Sequence, residues 1–146
     1  MEWAGLVVTH LSTKSEYAIK ALVRLALASG NGPVAAREIS EFGGIPSKFL
    51  EQVMHDLRQG GLVLSQRGKG GGYVLVADPA RVTFADVIDL VDGSHGGLGR
   101  MRSGDQAEAL VAPVWREVRD CTRAILKAAT IADAAARATD TPMYYI

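Results

Sequence analysis

The chain has 146 residues, 48% of them hydrophobic, which suffices for one core of ordinary domain size and leaves no room for a second, catalytic domain. Formal charge is +0 at pH 7, with 16 Lys+Arg against 16 Asp+Glu, so a diffuse cationic grip on nucleic acid is excluded. The single cysteine, Cys121, excludes an intrachain disulfide framework and an all-cysteine metal site, and reads most simply as a small packed residue.

Residues 1 to 10 carry an apolar patch, Leu6-Val7-Val8, without the cationic start or small-residue cleavage site of a secretory signal. No run approaches the roughly 18 apolar residues of a membrane helix, so no membrane partner and a cytoplasmic location are expected. Thr13-x-x-Glu16 reads as a capping box ahead of Tyr17, Ala18, Ala21, Leu22, Leu25 and Ala26, a stripe that predicts an amphipathic helix closing the domain from behind. Pro33 to Phe42 is short, helix-prone and closed by Gly43-Gly44. From Ser47, the residues Phe49, Leu50, Val53, Met54 and Leu57 recur as one apolar helical stripe, with Ser47, Lys48, Glu51, Gln52 and His55 away from its centre. Gly60-Gly61 stops that helix.

Leu62 to Gln66 and Gly72 to Val76 are β-prone runs joined by Arg67-Gly68-Lys69-Gly70-Gly71, a tight hairpin whose tip carries two cations and little bulk. Thr83-x-x-Asp86 caps a further helix with Phe84, Val87, Ile88 and Val91, which Asp92-Gly93 ends. A glycine-rich loop, Ser94 to Gly104, follows. Trp115, Val118, Thr122, Ile125, Leu126 and Ala129 then trace a seam along a helix of about four to five turns, and Thr130-x-x-Asp133 restarts a short alanine-rich helix.

Helix, glycine turn, helix and basic hairpin, in that order, predict a winged helix-turn-helix. The expected fold is mainly α with a small β-hairpin wing: an N-terminal extension over 1–10, a DNA-binding head over 11–82, and a helical linker, loop and dimerisation region over 83–146. In such a head the second helix enters the major groove, so Ser47, Lys48, Glu51 and Gln52 should face base edges and phosphates of a double-stranded operator. Arg67, Gly68 and Lys69 at the wing tip should reach an adjacent minor groove. A nucleotide P-loop is excluded, because Gly68 to Gly72 lacks the GxxxxGK[ST] spacing and leads into a strand. Up to Val82 there are nine Lys+Arg against seven Asp+Glu, and seven against nine afterwards, so the faintly basic half is the one with the wing. The seam Trp115, Val118, Thr122, Ile125 and Leu126 needs a cover, and a second copy of the chain is the economical one. No paired carboxylates, Ser/His/Asp set or metal spacing converge, so no enzyme activity is expected.

Leu11-Ser12-x-Lys14-x-x-Tyr17-Ala18, Ile39-Ser40, Leu50-Glu51-Gln52, Ser65-x-Arg67-Gly68-x-x-Gly71-Gly72-Tyr73 and Val87-Ile88-x-x-Val91-Asp92-Gly93 resemble the Rrf-two family of winged-helix transcription factors. The resemblance spans about Leu11 to Asp133 and implies a homodimer, with Lys48, Glu51, Gln52 and Arg67 on DNA. Ser12, Lys14, Tyr17 and Phe49, at matching positions, join the DNA-contact candidates. Residues 1 to 10 lie beyond the family's usual start, as a misassigned start or an accessory arm. Cluster-binding relatives carry three cysteines around the loop after Asp-Gly, whereas residues 92 to 109 here contain none. An iron-sulfur cluster needs thiolates, and Cys121 with His95 supplies no typical set, so a cofactor-free repressor is expected; iron-sulfur or redox sensing would need atypical ligands, such as His10, Cys121 and carboxylates from both subunits. The ending Met143-Tyr144-Tyr145-Ile146 resembles the tail of a branch that controls cysteine and sulfur metabolism. That resemblance implies signalling through a cysteine-synthase-like partner enzyme. A small-molecule effector acting at Ser94 to Gly104 is the other reading.

Overall fold

A computed structural model of the chain describes residues 11–93 and 106–139. Six helices and one hairpin run α1 (Thr13–Leu27), α2 (Ala36–Gly43), α3 (Ser47–Gln59), β1 (Val63–Gln66), β2 (Gly72–Leu75), α4 (Phe84–Asp92), α5 (Gln106–Ala128) and α6 (Ile131–Ala136), with a closing 3-10 turn at Arg137–Thr139. This is the fold class the sequence predicts. The expected residues 1 to 10, the loop from Ser94 to Gly104 and the tail from Met143 lie outside the described residues.

Ala18, Ala21, Leu22 and Leu25 of α1, Ile39 of α2 and Leu50, Val53, Met54 and Leu57 of α3 form the core with Ile45 and Val63. Each fully buried aliphatic side chain contributes roughly 1.5 to 3 kcal/mol, so this cluster holds the head together. Gly44 ends α2 at φ 61°, a left-handed cap that favours glycine and turns the chain into α3. The strands pair antiparallel with Val63 opposite Leu75 and Gln66 opposite Gly72. Val34, just before α2, exchanges backbone hydrogen bonds of 2.9 Å with Tyr73, so the wing is tied to the entry of the helix-turn-helix. A Cβ at Gly72 would lie 2.2 Å from the Val34 carbonyl oxygen, so only glycine permits that approach.

The capping boxes at Thr83/Asp86 and Thr130/Asp133 are both formed. They also sit beside each other, because Phe84 N–H donates to Ala129 and Ile131 N–H to Val82, each at 2.9 Å. This bridge seats α6 next to the start of α4, and Ile131 is buried in the core. The box read at Thr13 is corrected: the cap is Ser12, whose hydroxyl accepts from Ser15 N–H at 3.0 Å, and Thr13 is the first helical residue. The cause is tertiary. Asp92, at the end of α4, accepts the Ser12 hydroxyl at 2.6 Å and the buried Ser15 hydroxyl at 2.5 Å, locking Ser12 at the helix start.

Candidate nucleic-acid interface

α3 divides cleanly: Leu50, Val53, Met54 and Leu57 are buried, while Ser47, Lys48, Glu51, Gln52 and His55 are exposed. Its outer face therefore offers a hydroxyl, a cation, a carboxylate and an amide over the first turn and a half, the donor and acceptor types that read base edges and phosphates. Phe49 departs from the predicted buried stripe. Its ring is 44% exposed and lies against Tyr17 of α1, with ring centroids 6.0 Å apart. The two aromatics extend the outer surface of α3 onto α1.

Lys14 is also drawn to the recognition helix, its ammonium 2.5 Å from the Asp56 carboxylate. The hydroxyl of Ser12 is engaged inward by its cap and by Asp92. At the wing tip Arg67, Gly68 and Lys69 are exposed, Gly68 and Gly70 adopt φ 102° and 79°, and Gly71 N–H closes the turn on the Gly68 carbonyl at 2.9 Å. Neither Arg67, Lys69 nor Lys48 has an ion-pair partner among the described residues. The N-cap positions of α3 and α2, Pro46 and Ala35, make no side-chain capping hydrogen bond.

Two side chains that sequence reasoning did not single out border this surface. Arg37 and Glu41 of α2 line, with Ser40, Ser47, Glu51 and Tyr73, an open groove of about 300 Å³ between α2, α3 and the base of the wing. The Glu41 carboxylate, by hydrogen bond and then by charge, raises the Arg37 guanidinium above its ordinary value, so it stays a cation throughout. Arg37's place on the first turn of the motif's leading helix was the available signal.

The seam expected for pairing is split by the structure. Leu126 is buried against Ala85 and Ile88 of α4, and Arg123 forms a two-pronged ion pair with Asp89, one prong being 2.7 Å. Hydrogen bonding to Arg123 lowers Asp89 below the ordinary carboxylate range, against the opposing effect of its partial burial. Trp115 and Ile125 are exposed at 48% and 69%, together with Leu110, Val111 and Val114. Val118 and Thr122 are half-buried, the Thr122 hydroxyl donating to the Val118 carbonyl at 2.8 Å.

A helix-turn-helix with an attached hairpin, polar on the second helix and cationic at the hairpin tip, defines a winged-helix DNA-binding protein. The chain belongs to the Rrf2 (Rrf-two) family, described as "Iron-dependent Transcriptional regulator", which residues 11–137 match. It is 38% identical over 129 residues to the HTH-type transcriptional regulator IscR of Cronobacter sakazakii, covering 85% of this chain and 78% of that protein. Among solved structures it is similar to CymR, the global cysteine regulator of B. subtilis, with TM-score 0.72 and 31% identity over 86% of this chain and 95% of the other. T. potens IscR gives TM-score 0.73 and 31% identity, covering 92% and 95%. The chain is an HTH-type transcriptional regulator that binds DNA, and these relatives are named as regulators.

The family's description raises iron, and the residues present do not fit a cluster. One thiol, Cys121, is exposed on α5, and an iron-sulfur cluster takes several thiolates. Among the described residues no three His, Cys, Asp or Glu side chains gather as a metal site; His10 and His95 lie outside them. No described helix is long and apolar enough to cross a membrane.

Proposed function

We propose that the chain acts as a homodimeric repressor that occupies a two-fold operator and works without an iron-sulfur cluster. The observation that carries this reading is the exposed apolar face of α5. Val111, Val114, Val118, Cys121 and Ile125 are spaced three and four residues apart along one side, with Leu110 and Trp115 beside them. That is the spacing of a helix seam, and a seam left uncovered in one chain is covered most simply by its copy. Two heads joined this way present two α3 helices to half-sites about one helical turn, roughly 34 Å, apart. In this division of labour the residues up to 82 grip DNA through Ser47, Lys48, Glu51, Gln52, Arg67 and Lys69, and α5 pairs the chains.

Likeness to the global cysteine regulator supports genes of cysteine and sulfur metabolism as targets. Sedimentation of the purified chain tests the dimer, and selection from a random duplex pool should return inverted repeats at that spacing. A monomer at all concentrations, or single half-sites, would refute the proposal. Protein purified without oxygen should be colourless; a cluster spectrum with bound iron and sulfide would overturn the cluster-free part. Transcript levels in a strain lacking the gene should rise for sulfur-assimilation genes; a fall would make the protein an activator.

A further inference from the structure

α2 carries its charges unevenly. Glu38 is engaged by Arg24 of α1 at 3.4 Å, while Arg37 has Glu41 as its partner, Nε donating to a carboxylate oxygen at 2.9 Å. The side chains of this second pair are 88% and 65% exposed, so water competes with the contact and the fold gains little from it. Both residues border the groove that also holds Ser47 and Glu51, on the first turns of the recognition helix. In a helix-turn-helix the first helix crosses the DNA backbone when the second lies in the major groove.

We propose that Arg37 is a DNA-backbone contact of this chain, exchanging Glu41 for a phosphate as α3 seats on the duplex, and that Glu41 tempers this contact in the free protein. The inference rests on the DNA-binding reading and adds a contact outside the recognition helix and the wing. Physical need supports it. With formal charge +0 the chain has no general attraction for a polyanion, so individual cations at the surface must supply the counterion release that drives binding. Lys14 is already drawn to Asp56. A guanidinium suits the task, because its planar fork meets phosphate oxygens in two parallel hydrogen bonds. Phosphates look alike at every step of the duplex, so the contact sets register and strength and carries no sequence information.

The test uses the full chain and a fluorescent mixed-sequence duplex, with affinity measured from low to high salt. Arg37→Ala should weaken binding several-fold at low salt and flatten the slope of log affinity against log salt by about 1 for each bound chain. The loss should be similar on every sequence. Arg37→Lys, a point charge without the fork, should keep the slope and recover part of the affinity. Glu41→Gln should tighten binding. Arg81→Ala is the matched control: Arg81 is also 88% exposed and paired, with Asp78, but sits in the turn before α4. It should behave as the unaltered chain.

An Arg37→Ala protein with unchanged affinity and slope overturns the proposal, as does one no different from Arg81→Ala. A loss confined to particular sequences overturns the backbone assignment in favour of base reading. A lowered melting temperature in Arg37→Ala with normal binding by Arg37→Gln would show a structural role instead. If the unaltered chain binds no duplex even at low salt, the DNA-binding reading itself fails, an outcome distinct from the others.

Discussion

α3 and α5 are both amphipathic helices, and the structure treats their apolar faces in opposite ways. α3 buries Leu50, Val53, Met54 and Leu57 inside its own chain. α5 gives Ala112 and Leu126 to the interior and leaves Leu110, Val111, Val114, Trp115 and Ile125 exposed. A periodic stripe states only that one face is to be kept from water. What covers it depends on what the rest of the chain can bring over it. α3 sits between short connections, residues 44–46 and 60–62, that fold α2 and the hairpin onto it. α5 is anchored to α4 through Arg123 and Leu126, and elsewhere along it Leu110, Val114 and Ile125 stay exposed.

The largest effect is expected at α5. Trp115→Glu with Ile125→Glu should produce monomers by sedimentation and weaken operator binding by about 10²- to 10⁴-fold, since the second head no longer binds as a linked partner. Leu126 is left untouched in this design because its loss would damage packing on α4. Circular dichroism should show the helices intact, and persistent dimers would place the interface elsewhere. The converse change in α3, Leu57→Ala, should leave the pairing surface alone and cost about 2 to 5 kcal/mol in denaturant unfolding, by lost transfer energy plus a cavity. A cost near zero would mean that the core has collapsed around the gap.

Smaller effects refine the contrast. Arg67→Ala should weaken operator binding by about 1 to 3 kcal/mol without altering stability, and unchanged affinity would remove the wing from the interface. Arg123→Ala should destabilise the joint between α4 and α5 by roughly 0.5 to 1 kcal/mol at neutral pH. Because Arg123 lowers Asp89 in the folded chain, that contribution is complete above about pH 4, the ordinary aspartate range. It fades as acid protonates Asp89 through its lowered folded value. The two proteins should therefore differ at pH 7 and converge in strong acid; a difference that grows below pH 4 would contradict the assignment.

Local chemistry made much of this molecule legible. Thr83/Asp86 and Thr130/Asp133 announce helix starts because both halves of each cap lie within one turn of chain. Gly60-Gly61 and the Arg67 to Gly71 tip mark the end of α3 and the hairpin for the same reason. Phe49 was misplaced because periodicity cannot tell the edge of a stripe from its centre, and the Tyr17 ring that it meets lies on another helix. Arg37 offers the sequence only its place on the first turn of α2, and its bearing on the interface emerges from its neighbours across the α2–α3 groove.

The order of elements, the polar outer face of α3 and the basic wing tip follow from the sequence alone, since each depends on residues within a few positions of one another. Tertiary structure decided what depends on distant partners. Ser12 rather than Thr13 caps α1, its hydroxyl held by Asp92, 80 positions away. Leu126 turns inward and Ile125 outward because α4 covers only one side of α5. Helix and cap preferences act over one turn of chain, whereas burial is settled by whichever surface the folded chain brings within reach.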